Sequence, residues 1–274
     1  SELKVLDFSC VLAGPFAGRM LSDLGADVVK VEPPEGDVTR FWGKSIADLP
    51  GYYHQQNAGK RNICADLREP AAITVIEALV KEADIVIENY RPDVMDRLGL
   101  SYEHLKEINP RIIMLSISGF GHGGPESRRP AYAPVIHAEA GLIHRSASEA
   151  ANADRGRHYQ DLPLSVADTN ASLHGLVGLL AAVIHRQTTG KGQHIDIAMI
   201  DATTATDDKI HYDLEASWET APLRNEIYDL PHGPVLLSTD FRLLFKRLVE
   251  LGYIEDPSAS SDSFDQKVAK RREA

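Results

Sequence analysis

The sequence predicts an α/β fold: an open, doubly wound, mostly parallel sheet followed by part of a second, small domain. Two observations lead there. Short β-branched runs recur along the chain with helical periodicity between them. Glycine and proline punctuate those segments where strands should give way to helices, at spacings that suit right-handed βαβ units. Alternation of this kind implies a parallel sheet with helices on its faces, a Rossmann-like arrangement.

Leu3–Phe8 reads as the first strand, and Ala13-Gly14-Pro15 as the turn after it. Phe16, Met20, Leu21 and Leu24 then fall on one helical face, with Pro15 suited to the helix start and Gly25 to its stop. Asp27–Glu32 is a second strand, closed by Pro33-Pro34-Glu35-Gly36. Asn62–Leu67 is a short strand, and Pro70–Glu82 a helix. Ile85–Glu88 and Arg111–Ile117 are strands, with helical stretches at Asp93–Leu98 and Tyr102–Ile108 between them. Asp168–Gln187 is the longest apolar helix, and Ile195–Met199 a late strand. Beyond it come a polar helix (Asp201–Ala216), an irregular stretch (Ser217–Leu230), a strand (Pro234–Ser238) and a helix (Arg242–Leu251). Asp256–Ala274 is polar enough to fray. The expected domains are a Rossmann-like large domain over 1–200, a helix and linker over 201–230, and a partial small domain over 231–274.

Twenty-nine Lys and Arg against 40 Asp and Glu give a net charge of −11, which argues against a general nucleic-acid binder. Two cysteines, Cys10 and Cys64, make neither a disulfide framework nor a metal pattern. The reading finds no leader and no apolar run of membrane-spanning length, so a cytoplasmic enzyme without membrane attachment is expected.

Several motifs compete for the chemistry. Gly119-Phe120-Gly121-His122-Gly123-Gly124 matches G-x-G-x-x-G, but Pro125 to Pro130 do not open the helix that a dinucleotide site needs. A flexible glycine loop whose N–H groups serve a developing oxyanion is the alternative reading. The first β-turn-α-β unit ends on Glu32, where a nicotinamide enzyme places its ribose-binding carboxylate, yet the three-glycine spacing is missing. Lys60, Arg61, Arg68, Arg91, Arg97, Arg128 and Arg129 gather at strand ends and loops, as phosphate binding or an ordinary charged surface would have it. Asp168 opens a helix, where a carboxylate serves equally as an N-cap or as a nucleophile. His137, close to Tyr132 in sequence, reads as a helix-face histidine, more often structural than catalytic. No G-x-S-x-G elbow and no metal-ligand spacing is present.

Taken in order, the segments Val5-Leu-Asp-Phe, Leu12-Ala-Gly-Pro-Phe-Ala, Leu24-Gly-Ala-Asp-Val-Val-Lys-Val-Glu, Gly36-Asp-Val-Thr-Arg and Asn57-Ala-Gly-Lys-Arg begin a recognisable series. Asp66-Leu, Glu88-Asn-Tyr-Arg-Pro, Arg97-Leu-Gly-Leu, Ser116-Ile-Ser-Gly-Phe-Gly, Arg129-Pro-Ala-Tyr, Val166-Ala-Asp and Thr189-Gly-Lys-Gly-Gln complete it. The series resembles the class III CoA-transferases, the family of formyl-CoA and carnitine CoA-transferases with acyl-CoA racemases as relatives. It spans residues 3 to about 203.

The resemblance implies an enzyme that exchanges CoA between an acyl-CoA and a small carboxylic acid, with no metal or redox cofactor and none tightly bound. Asp168 would be the nucleophile, forming an aspartyl mixed anhydride and then an aspartyl-CoA thioester. Asn89, Tyr90, Arg91 and Arg97 would meet the nucleotide and its phosphates. Ala65, Asp66, Leu67 and Arg68 would line the adenine and ribose side. Leu12 and Ala13 would lie near the thioester, and Tyr132 would face Asp168. The family also implies a homodimer, interlocked in full-length members. Pro33 replaces a phosphate-binding arginine of many members, Leu12 replaces the glutamine of formyl-CoA:oxalate enzymes, and the glycine-rich flap of the second domain has no counterpart. This chain is shorter than the usual member and resembles one that stops within the small domain. Tyr132 stands where the racemases carry their histidine, which ranks racemisation lower. An acyl-CoA racemase, a nicotinamide-dependent oxidoreductase and a non-catalytic CoA-binding remnant are the alternatives.

Overall fold

Six parallel strands build the central sheet of the computed structural model, which describes residues 2–152, 159–211, 224–239 and 241–273. They are β1 (Lys4–Asp7), β2 (Asp27–Glu32), β3 (Arg61–Cys64), β4 (Ile85–Glu88), β5 (Ile113–Ser118) and β6 (His194–Ala198). Their spatial order is β3-β2-β1-β4-β5-β6. The chain therefore winds outward from β1 to β3, returns, and winds the other way from β4. That reversal creates a crevice beyond the carboxyl ends of β1 and β4. The central strands β4 and β5 are buried at every residue, as strands covered on both faces must be, whereas the edge strand β3 is largely exposed.

Helices α1 (Ala13–Asp23), α2 (Gly51–Asn57), α3 (Pro70–Val80), α4 (Val94–Arg97), α5 (Tyr102–Ile108), α6 (Ala133–Glu139), α7 (Leu142–Asn152), α8 (Val166–Thr189) and α9 (Met199–Ala205) accompany the sheet, with a 3-10 helix at Val38–Phe41 and a short hairpin pairing Ser45–Ile46 with Leu49–Pro50. Side chains alternate across the strands and define two cores. Ile85, Ile87, Ile113, Leu115 and Ile117 meet α1 and α8 residues such as Ala17, Leu21, Ala171 and Leu179. Val86 and Met114 meet Ile76 and Val80 of α3 and Leu105 of α5 on the other face. Pro70 starts α3, Ser101 caps α5 through His104 N–H, and Gly190, with φ of 74°, ends α8.

Chain order and strand identity follow the sequence reading, with some corrections. α1 begins at Ala13, so Pro15 sits inside its first turn rather than at its start. α2, α6 and α7 were not foreseen from the pattern because they are short or polar. α8 is 24 residues long, with a window of mean hydropathy 1.3, so a run apolar and long enough to cross a membrane does exist. One face of it buries Ala167, Ala171, Leu176 and Leu179 against the sheet.

The chain divides into two compact units, Ser1–Asp207 and Asp208–Ala274. In the second unit, the stretch expected to be irregular contains a strand, β7 (Arg224–Leu230), paired antiparallel with β8 (Gly233–Thr239). Helices α10 (Phe241–Glu250) and α11 (Phe264–Glu273) follow. In the last segment, expected to fray, Arg271 pairs with Asp256 at 2.6 Å and Lys270 with Asp262 at 2.8 Å, linking the polar helix to the loop before it. Residues 212–216 of the expected polar helix and 217–223 of the expected irregular stretch lie outside the described residues.

Candidate active site

The crevice is floored by the segment between β1 and α1, where side chains bond the backbone of Ser9, Cys10 and Val11. Ser9 N–H donates to Asp7 Oδ1 at 3.0 Å, and Lys30 Nζ donates to Ser9 O at 2.6 Å. Asn89, just after β4, takes the Cys10 N–H and donates to the Cys10 carbonyl, both at 2.8 Å. Asp37 accepts the N–H of Val11 at 3.2 Å, holding that residue at a φ of 64° that a β-branched side chain resists. Lys60 Nζ reaches the Pro15 carbonyl at 2.8 Å. Gly14 is required here, because a Cβ on it would lie 2.1 Å from that of Ser9. These bonds hold the loop rigidly in a shape it would not keep alone.

The clamp itself is charged and buried. Lys60 pairs with Asp7 at 2.7 Å and Lys30 with Asp37 at 3.2 Å, all four side chains being about 1% exposed or less. Burial alone would raise the Asp7 carboxyl, but Lys60 and Lys30 beside it hold it below the usual carboxylate range. β1 and β2 bring these groups together directly, since Asp7 and Lys30 are register partners.

Asp168 faces this loop from α8. The helix starts at Val166, so Asp168 is its third residue and not the N-cap that the sequence suggested. Ser172, one turn on, donates to the Asp168 carbonyl at 2.8 Å and to the carbonyl of Ala13, which fastens α8 to the start of α1. Burial pushes the Asp168 carboxyl up to about 6, although the His137 ring and the N–H groups of Asp168 and Ala13 act against that rise. A half-buried carboxylate at a helix's leading turn, with backbone N–H groups beside it, is still ionised at neutral pH and a better nucleophile than an ordinary aspartate. Cys10 is a poor competitor, its thiol pushed up to about 11 by burial and nearby Asp37.

The other expected site residues lie mainly at strand ends along the same sheet edge. Ala65, Asp66, Leu67 and Arg68 follow β3, and Asn89, Tyr90 and Arg91 follow β4. Leu12 and Ala13 are buried in the clamped loop, at 8% and 2% exposure. Arg68 is exposed and held by both oxygens of Asp66 at 2.7 and 2.8 Å, while Arg97, at the end of α4, has Asp93 at 3.5 Å. Tyr132 stands exposed immediately before α6. Asn89 is spent largely on Cys10, so its side chain shapes the loop.

One sequence reading is corrected. Glu32 is filled by Arg40 Nε and the Tyr53 hydroxyl, both at 2.6 Å, and is buried, so it is no open ribose-binding carboxylate. In the glycine loop, His122 N–H is spent on Asp196 Oδ2 at 3.0 Å; the N–H groups that bear on Asp168 are its own and that of Ala13.

The sequence reading missed Tyr52, on α2, whose hydroxyl is pushed up by burial and by the charge of Asp168, and which packs on Trp42 with ring centres 5.4 Å apart. It also missed a polar cluster on the opposite face of the sheet. Ser116 Oγ lies 2.8 Å from His194 Nε2, His122 Nδ1 lies 2.8 Å from Asp196 Oδ1, and Tyr102 stacks on His194. Glu88 closes this cluster, 2% exposed and taking the Tyr90 N–H at 2.8 Å; burial pushes its carboxyl up to about 7. A cavity of about 210 Å³ opens there. Strand parity was the available signal: Glu88, Ser116, His194 and Asp196 all point away from α8.

A family model, CoA-transferase family III, matches residues 1–231. The chain is 38% identical over 213 residues to a succinate–glutarate CoA-transferase of Agrobacterium fabrum, covering 75% of this chain and 52% of that protein. It is 39% identical over 204 residues to an acetyl-CoA:oxalate CoA-transferase of Acetobacter aceti, covering 74% of this chain and 51% of that one. The chain thus spans about half the length of these curated relatives. A crystal structure of a CAIB/BAIF family protein from Brucella suis superimposes with a TM-score of 0.80 at 33% identity, over 99% of this chain and 74% of the other. That family model spans well over half of the chain, and the chain belongs to CoA-transferase family III.

Proposed function

We propose that this chain carries the CoA-binding and nucleophile-bearing part of an enzyme that moves coenzyme A from an acyl-CoA to a small carboxylic acid. The observation that carries the reading is Asp168: a carboxyl pushed up to about 6, on the first turn of α8, beside a side-chain-clamped loop in the sheet's crevice.

The Asp168 carboxylate attacks the thioester carbonyl; a C–O bond forms, the C–S bond breaks, and CoA leaves as thiolate. The thiolate attacks the aspartyl carbonyl of the mixed anhydride, forming the aspartyl-CoA thioester and releasing the donor acid. The acceptor carboxylate then attacks that thioester and expels the thiolate, which takes the new acyl group and frees Asp168. Each step exchanges one good leaving group for another. The Ala13 N–H, fixed by Ser172 and the loop clamp, supplies a donor for developing negative charge. Arg68, Arg91 and Arg97 are proposed for the CoA phosphates; Ala65, Asp66, Leu67, Asn89 and Tyr90 for the nucleotide; Leu12 and Tyr132 for the acyl end. Relatives named for succinate, glutarate and oxalate support a small dicarboxylic acid among the substrates. The homodimer is part of this reading, and Leu173, Val177, Leu180 and Ile184 form an exposed apolar stripe on α8 suited to it.

Incubation with acyl-CoA and hydroxylamine tests the nucleophile. The adduct is expected on Asp168, and Asp168→Asn is expected to lose transfer by about 10³-fold or more. Unchanged transfer by Asp168→Asn overturns the reading. A histidine-dependent racemase is less well supported, because both ring nitrogens of His137 are committed to hydrogen bonds.

A further inference from the structure

We propose that His137, backed by Asp161, is a positioning residue that fixes the leading turn of α8 and thereby aims the Asp168 carboxylate; this rests on the reading of Asp168 as nucleophile.

A helix this long begins with several N–H groups that lack intrahelical partners. The N-cap residue, Ser165, offers no side-chain bond to them. The N–H of Ala167, directly before Asp168, donates instead to Nε2 of His137 at 3.2 Å. Because Nε2 accepts, the ring carries its hydrogen on Nδ1, and that nitrogen lies 2.7 Å from Asp161 Oδ1. His137 and Ala167 are both 0% exposed, so no water substitutes for either partner. The imidazole is thus gripped at both ends: by the segment leading into α8 and by the helix's own first turn. His137 comes from α6, so its contact also sets where α8 starts relative to α6. Ser172 fixes the same turn from the α1 side. Between them the Asp168 backbone has little freedom, and the carboxylate meets the Ala13 N–H without a search.

A glutamine can reproduce this device, since its carboxamide presents an acceptor to Ala167 and a donor to Asp161; a leucine fills the space and offers neither. Full kinetics on His137→Leu, His137→Gln and Asp161→Ala separate aim from packing. His137→Leu is expected to lower kcat by about 10- to 100-fold, with KM for acyl-CoA within about twofold of the original. The hydroxylamine-trapped acyl-enzyme should fall in step. His137→Gln is expected to recover kcat to within about threefold, and Asp161→Ala to fall between the two. A His137→Leu protein with undiminished kcat overturns the proposal, as does a folded His137→Gln protein no faster than His137→Leu. If His137→Leu does not fold, the decision rests on Asp161→Ala, whose unchanged kcat also overturns it. Active Asp168→Asn, by contrast, refutes the nucleophile and not the hydrogen bonds.

Discussion

Glu88→Gln converts the buried carboxyl of the second polar cluster into a group that cannot ionise. The structure places Glu88 at 2% exposure, with Tyr90 N–H on one oxygen and the Ser116 hydroxyl beside it. Burial raises its carboxyl from 4.5 to about 7, the nearby Asp196 charge adding to the rise while Ser116, Tyr90 N–H and His122 oppose it. The folded state therefore holds this proton more tightly than the unfolded chain. Between pH 4.5 and 7 unfolding releases a proton, so stability falls as pH rises and the loss is complete above about 7. A rise of about 2.5 units at roughly 1.4 kcal/mol each gives a loss of about 3 kcal/mol. Glutamine keeps an acceptor for Tyr90 and has no proton to lose. Urea unfolding followed by far-ultraviolet circular dichroism, at half-unit steps from pH 4.5 to 8.5, measures both proteins. The stability of the variant relative to the original should climb by about 2 to 3 kcal/mol across that range. A difference flat to within about 0.5 kcal/mol, or one that shrinks as pH rises, shows that Glu88 is ionised in the folded protein and refutes the reasoning.

Three further outcomes follow from the same structure. Lys60→Met leaves Asp7 buried beside Lys30 alone and should cost about 3 to 5 kcal/mol in urea; a cost under about 1 kcal/mol means Lys30 suffices. CoA transfer should be near its plateau about one pH unit above 6, at half that at about 6, and lost as pH falls further, because only ionised Asp168 attacks; a pH–rate profile level down to pH 4.5 contradicts the assignment. Arg97→Ala, at an exposed side chain with one loose ion pair, should leave the melting temperature unchanged while raising KM for acyl-CoA in a salt-dependent way. An unchanged KM removes Arg97 from the phosphate site.

The sequence by itself determined the six strands of the large sheet and their parallel, doubly wound arrangement, because β-branched runs, crossover length and Gly/Pro punctuation are local signals. It also marked Asp168, through a short motif at the head of an apolar run. Whether Asp168 is the N-cap depends on where the helix starts, and two side chains from elsewhere in the chain hold that start. The His137 ring takes the N–H of Ala167 from 30 positions away in sequence, and Ser172 anchors the turn to Ala13, 159 positions from it. Glu32 looked open in the sequence and is closed by Arg40 and Tyr53. The polar cluster at Glu88 arises because β4, β5 and β6 lie side by side, so residues from position 88 to 196 share one face. Local chain preference carries none of that information. Pairing of distant side chains in a low-dielectric interior exists only once the sheet has formed, and it is this pairing that sets charge, tautomer and aim.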